Sequence, residues 1–466
     1  RRQAKRYLAT IEGLPSVRVN DIIVNQDGEW AIVRALSDDY VYALTFHGPA
    51  HPGDRYERLP QEYVYSCGSH LFGRIVDPFG APVDNKGSFP KPNVPFRLEV
   101  DAPGVEVREP ISRQLTTGVT VVDTLVPIAK GQRQLVFGPI RSGKSTFLTQ
   151  TVRAQATAGV VCIYAIIGKP INGLKKITER IINTAAPNSQ TIVISALSDQ
   201  PPAAVAIAPS VAFMMAEFFQ RQGEDVLVVL DDLDAHAKYL REIALLEGRL
   251  PSIESYPGDI FYQHAHLMER SGEFVKSHGG GSITTLPVIQ TDQKNFSDLI
   301  PTNVMACTDG HLSFLPQLRA EGIYPSVSIE ESVTRVGRQS QQTLQKQLTR
   351  RTQTLLGEYR TQKEYARFSA DLSDHAKDVL WRGSMIELLL RQPPFTARPL
   401  AVQVILLSLV FTDFFDDMTS ETVANKREAL AEGIATDDTL QSLRDMTMND
   451  AVGWDAFVQS LKRHHS

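Results

Sequence analysis

Gly138-Pro139-Ile140-Arg141-Ser142-Gly143-Lys144-Ser145 decides the reading of this chain, because it matches G-x-x-x-x-G-K-[ST] in full. The apolar run Gln134-Leu135-Val136-Phe137 precedes it as a strand, and a helical stretch from Thr146 to Ala154 follows. That context makes the pattern a phosphate cradle. Glycines let the backbone wrap closely, and the amides at a helix N-terminus favour negative charge. Gly138, Arg141, Ser142, Gly143 and Thr146 are the expected loop contacts. Lys144 is placed on the β- and γ-phosphates, and the Ser145 hydroxyl on Mg²⁺. The alternative, a chance glycine turn, has the flanking strand and helix against it.

The second half of such a site is an acidic residue ending a buried strand. Val226-Leu227-Val228-Val229-Leu230 followed by Asp231-Asp232 supplies it, with Asp231 expected to hold Mg²⁺ through water. The competing role, capping the next helix, fits Asp234 better, with Asp232 as the second choice.

Working outward, the runs Val160 to Ile167, Thr191 to Ile194 and Val226 to Leu230 are apolar on both faces. Strands of that kind belong to a parallel sheet covered by helices. To about Pro90 the chain instead shows short strands, such as Asp21 to Val24, Trp30 to Val33 and Tyr40 to Leu44, parted by Asp27-Gly28 and Asp38-Asp39. They predict a small β-barrel or sandwich, and Gly80-Ala81-Pro82 with the stretch Asp84 to Pro95 reads as a linker. After Leu344 the pattern is helical: Leu355, Tyr359 and Tyr365, then Val379, Leu388 and Leu389, recur at near-helical intervals. The expected plan is an N-terminal β-barrel (1–90), a central RecA-like α/β nucleotide-binding domain (91–344) and a C-terminal helical bundle (345–466).

Composition agrees. The chain has 466 residues, 42% of them hydrophobic and 22% charged, which suits an ordinary globular core. A net charge of −5, from 48 basic and 53 acidic residues, excludes a chain built mainly to hold nucleic acid. Cys67, Cys162 and Cys307 are too few and too scattered for a disulfide framework or zinc cluster. No signal peptide is read. Ala203 to Phe219 is apolar, but Pro209 and Glu217 fall inside it, so a buried core helix is expected there.

These motifs speak for nucleotide binding, not for hydrolysis. A water that attacks the terminal phosphate needs a group to orient and polarise it. In rotary and hexameric relatives of this fold, a Glu does so just after the strand that follows the loop helix. Here that strand ends Ile166-Ile167-Gly168-Lys169-Pro170. Lys169 can hold a phosphate oxygen or point into solvent, but a charged ammonium cannot accept a proton. Glu179 lies further along and is a poor substitute.

Thr117-Gly118-Val119-Thr120-Val121-Val122-Asp123-Thr124-Leu125-Val126-Pro127-Ile128, followed by the phosphate loop, resembles the rotary ATP synthase family. Leu230-Asp231-Asp232-Leu233, the stretch Glu254 to Tyr262, Gly279 to Ile289, Ile300 to Val304 and Thr308-Asp309-Gly310 resemble its alpha subunits in particular. The resemblance runs from about Ser69 to the early C-terminal helices. It implies a non-catalytic subunit that binds ATP or ADP with Mg²⁺ and alternates in a hexamer with catalytic beta subunits around a gamma shaft. It also implies peripheral-stalk partners and contact with a membrane only through the complex. The location implied is the matrix face of a mitochondrial inner membrane or the cytoplasmic face of a bacterial one.

The same resemblance assigns residues. Ser332-Val333-Thr334-Arg335-Val336-Gly337 matches the segment that carries an arginine finger, so Arg335 would reach into the neighbouring catalytic site. Gly322-Ile323-Tyr324-Pro325 and Gln392 match positions around the adenine. The sequence departs from the pattern at Lys169, where Gln is expected, at Tyr324, where Arg is expected, and at Pro139, Ile140 and Arg141 in the loop. The N-terminal segment that meets the peripheral stalk is not evident. Two other readings compete: a self-sufficient homohexameric motor of the secretion or helicase type, and a structural paralogue without nucleotide. The first lacks a Glu near position 169. The second is opposed by Lys144, Ser145 and Asp231.

Overall fold

A computed structural model describes residues 7–59, 63–98, 100–183, 189–248, 256–291, 298–367 and 372–465. Glu254 and Ser255 of the family-like stretch lie outside them. The protein divides into two compact units. The first holds Arg1–Pro110, Gly131–Ile140 and Gln155–Asp309; the second holds Ile111–Lys130, Arg141–Ala154 and Gly310–Ser466.

The first unit opens with a five-stranded antiparallel sheet, half of a barrel. Its spatial order is Leu8–Glu12, Tyr40–Thr45, Trp30–Leu36, Ile22–Asn25, Tyr56–Arg58. Alternation places Ile23, Ala31, Val33 and Ala43 in a small core on one face. The stretch read as a linker is tied down: Asp84 accepts from Arg74 Nε at 2.8 Å and Nη2 at 3.0 Å, and Val94–Pro95 pairs with Val64–Tyr65.

The rest of that unit is built on parallel strands in the order Gln134–Gly138, Ser282–Gln290, Asp225–Asp231, Val161–Lys169, Thr191–Leu197, Arg74–Val76. Their apolar residues are buried on both faces, as their sequence predicts. Arg74–Val76 adds in register to Ile192–Ile194, although it precedes the linker-like stretch; three edge residues carry too little pattern to be assigned from sequence. The apolar helix Pro202–Gln220 is a core helix, with Val205, Val211, Phe213 and Met215 fully enclosed.

The second unit is mainly helical. Its helices include Thr343–Tyr365, Asp374–Leu390, Leu400–Ser408, Ser420–Thr436 and Trp454–His465, beside the antiparallel pair Gly310–Phe314 and Val327–Thr334. Ser373 and Thr419 cap two of the helices by accepting from Ala376 N and Thr422 N, each at 3.2 Å. The buried stripe of Thr343–Tyr365 is Leu344, Leu348, Thr352, Leu356 and Tyr359. Leu356, not Leu355, is therefore the core residue, and Tyr365 is exposed.

Candidate nucleotide site

The loop's backbone is held from outside in the second unit. Arg141 sits at φ 64° and Gly143 at φ 108°. Only glycine takes the latter without strain, and a Cβ there would lie 2.9 Å from Ser326 Oγ. The Ser326 hydroxyl donates to the Ser142 carbonyl, and Arg319 Nη1 donates to the Arg141 carbonyl at 2.8 Å. Both contacts hold the loop's carbonyls and so brace its backbone. Lys144 and Ser145 open the helix Lys144–Thr157, and Phe147 anchors its first turn against Phe314 with ring centroids 5.5 Å apart.

Beside this helix start is a narrow cleft of about 60 Å³, lined by Gly143, Thr146, Gln150, Tyr324, Pro325 and Gln392 among others. The Arg319 guanidinium lies 5.8 Å from the Tyr324 ring centre, which fixes that ring's face. Gln392 lines the cleft but has its amide engaged. Oε1 accepts from Thr120 N and Oγ1 at 3.0 Å each, and Nε2 donates to the carbonyls of Gly118 and Thr396. Its backbone N–H donates to Tyr324 O at 2.7 Å. The side chain thus fastens the 117–120 turn to the helix end and offers shape rather than a free amide.

In the first unit, Asp231 ends its strand 2% exposed. The Lys169 ammonium lies 2.5 Å from its Oδ2, and the Tyr164 hydroxyl donates to the same oxygen at 2.7 Å. Lys169 is therefore neither a solvent-facing cation nor a free one. The strand Val161–Lys169 bulges at Gly168, where φ is +66° and a Cβ would strike the Tyr239 ring at 2.8 Å. Such a bulge re-aims the next side chain. Asp232, not Asp234, caps the next helix by accepting from Ala235 N at 2.7 Å. A cap must reach the third amide ahead, which Asp232 does. Asp234 instead pairs with Lys238 at 2.7 Å. Burial first, and the Asp231 charge second, push Asp232 up to about 6. Glu179 is exposed.

These residues fit a divalent cation only in part. Ser145 offers a hydroxyl at the right place in the loop motif, but the Asp231 carboxylate already has an ammonium counter-charge.

Arg335 is exposed just past the strand Val327–Thr334 and does not line the cleft. Its backbone is fixed. Thr334 Oγ1 donates to Pro127 O at 2.9 Å and accepts from Gly337 N at 3.1 Å. Burial, and secondarily the Arg335 charge, hold the His311 imidazole below its ordinary range.

Sequence reasoning missed Asp123. Fully buried, it accepts from Thr117 N and Oγ1 at 2.7 Å each, and from Gly118 N and Gln403 Nε2 at 2.9 Å each. The only signal was an acid inside an otherwise apolar turn of sequence.

A parallel sheet carrying this loop and a strand-end aspartate define a phosphate-loop nucleotide-binding protein. The model of the ATP synthase alpha/beta family nucleotide-binding domain matches residues 118–334, and that of the C terminal domain of the ATP synthase alpha/beta chains matches 341–461. ATP synthase subunit alpha 1 of Marinomonas sp. is 33% identical over 442 residues, 94% of this chain and 86% of that protein. ATP synthase subunit alpha of Dictyoglomus turgidum is 36% identical over 419 residues, 89% and 82% of the two proteins. The protein belongs to the ATP synthase alpha/beta family, and its resemblance is to alpha subunits. Members of that family are nucleotide-binding parts of a membrane-associated complex.

Proposed function

We propose that this chain is the non-catalytic, nucleotide-binding alpha subunit of a rotary, ion-translocating ATP synthase. ATP or ADP is taken up by the loop, with Gly138, Arg141, Ser142, Gly143 and Thr146 around the phosphates and Lys144 on the β- and γ-oxygens. Tyr324, Pro325 and Gln392 face the base, Tyr324 by stacking and Gln392 by shape. Ser145 is the group that would face Mg²⁺ when it accompanies the nucleotide, whereas Asp231, expected to do so too, is already paired with Lys169. Bound there, the metal would offset phosphate charge; no chemistry on this chain needs it. The functional segments are a β half-barrel to about residue 90, a nucleotide domain to 344 and a helical domain beyond.

The observation that carries the non-catalytic reading is the Lys169–Asp231 pair, 2.5 Å apart. The end of that strand, where a hydrolytic site needs a proton acceptor, holds an ammonium that is already spent on a carboxylate. Arg335, exposed on a braced turn, is the proposed finger for the catalytic site of a neighbouring beta subunit. Its fixed charge would stabilise the transferring phosphoryl group, an effect on the order of 10³ to 10⁵ in rate. The C-terminal helices bear on a gamma shaft. The complex sits on the matrix face of a mitochondrial inner membrane or the cytoplasmic face of a bacterial one.

The test is Arg335→Ala in the reassembled complex. Assembly and nucleotide content should persist while multi-site turnover falls by about 10³ or more. Unchanged turnover would remove the finger assignment.

A further inference from the structure

We propose that Lys169 is a built-in counter-cation for Asp231, so that this chain binds ATP or ADP with little dependence on Mg²⁺. The inference rests on the nucleotide-binding reading above and concerns what that site requires.

A carboxylate at the end of a buried strand helps a phosphate loop by attracting a hydrated dication, which in turn offsets the phosphates. That help requires an uncompensated negative charge. Here Oδ2 of Asp231 has the Lys169 ammonium at 2.5 Å and the Tyr164 hydroxyl at 2.7 Å, in surroundings that leave the carboxylate 2% exposed. At that separation the pair is close to neutral when seen from outside. A dication drawn toward Asp231 would meet the ammonium as a like charge.

The geometry is built rather than accidental. Gly168 adopts φ +66° at a strand bulge, and the Lys169 carbonyl accepts from Ser198 N at 3.1 Å, so the backbone on both sides of the lysine is set. Tyr164 lies on the same strand and approaches the same oxygen. Asp232, the next residue along the chain, has one oxygen committed to the Ala235 amide. Its charge, opposed by Lys169, does not restore a free carboxylate at the strand end.

The side chain at position 169 sets the charge that Asp231 presents. A neutral amide would leave Asp231 its charge and hence its attraction for the metal. A lysine removes it and keeps a positive group in place whether or not metal is present.

The experiment is titration of the purified full-length protein with ATP and with ADP by calorimetry, once in excess Mg²⁺ and once in excess EDTA. Wild-type affinity should change by no more than about threefold between the two conditions. Lys169→Arg, which keeps the charge, should behave the same way. Lys169→Gln should make binding tighter in Mg²⁺ than in EDTA by about tenfold or more. Wild-type binding that tightens tenfold or more with Mg²⁺ would overturn the inference and leave the nucleotide-binding reading intact. Absence of binding in both conditions would overturn both. Because the wild type alone decides the point, a poorly folding variant does not remove the test.

Discussion

Lys169 Nζ lies 2.5 Å from Oδ2 of Asp231, across two neighbouring parallel strands in which Ile166 pairs with Asp231. One contact therefore ties the ends of these two strands together.

Removing the lysine exposes what the pair does for the fold. Lys169→Met leaves a buried carboxylate with Tyr164 as its remaining partner among these contacts. It should lower unfolding free energy by about 1–3 kcal/mol. Tyr164→Phe should cost about 1–2 kcal/mol. Urea melts of the two single variants and the double would measure both values. Because both donors meet one oxygen, their effects should not add.

Asp123 gathers four donors in the second unit. Asp123→Asn must turn an NH₂ toward donors on one side, so it should destabilise by about 2–3 kcal/mol. Burial pushes this carboxyl up to about 6 from an ordinary 3.8, against the Gln403, Thr117 and Gly118 hydrogen bonds. An acid with a raised folded value contributes its proton-linked stability below pH 3.8 and loses it as pH rises through 6. The gap between wild type and Asp123→Asn should therefore narrow from pH 4 to 6.

The buried pair His236 and His264 has the opposite sign. His236 Nε2 donates to Ala206 O at 2.9 Å, which makes its Nδ1 the acceptor for His264 Nε2–H at 3.1 Å. A further proton on His236 Nδ1 would face that N–H. Burial holds both imidazoles below their ordinary 6.5, and for His264 the neighbouring His236 adds to it. Folded values that are depressed give stability present above pH 6.5 and lost as pH falls. The unfolding free energy of wild type minus that of His264→Leu should shrink from pH 7 to 5, by up to about 1.4 kcal/mol per unit. A gap that widens on acidification would contradict this arrangement.

Gly337 sits where a Cβ would fall 1.8 Å from the Pro127 carbonyl oxygen. Gly337→Ala must push the turn away from Pro127 and break the Thr334 Oγ1 contact beside Arg335. It should cost about 1–3 kcal/mol. It should also lower turnover of the assembled complex while leaving nucleotide binding by this subunit in place. Thermal unfolding and turnover assays on the same preparation would check both.

The loop was legible because its motif is local: two glycines, a lysine, a serine, a strand before and a helix after; its braces from Ser326 and Arg319 were not. Asp231 was legible because an apolar run stopped at an acid. The Lys169–Asp231 contact was not, since it depends on the register of strands far apart in sequence and on a bulge at Gly168. The same holds for Asp123 and Gln392, whose partners come from distant segments such as Gln403, Thr120 and Gly118. The apolar positions of Thr343–Tyr365 gave the right element but the wrong face by one residue, Leu355 for Leu356, because neighbouring leucines fit a helical period equally well.

On the function proposed above, this protein binds nucleotide without turning it over. The measurement is ATP binding and phosphate release followed together in one sample of the purified protein alone. The expected result is saturable binding, lost in Lys144→Ala, with no sustained phosphate release. Sustained release, abolished by the same substitution, would contradict it and would favour a self-sufficient motor.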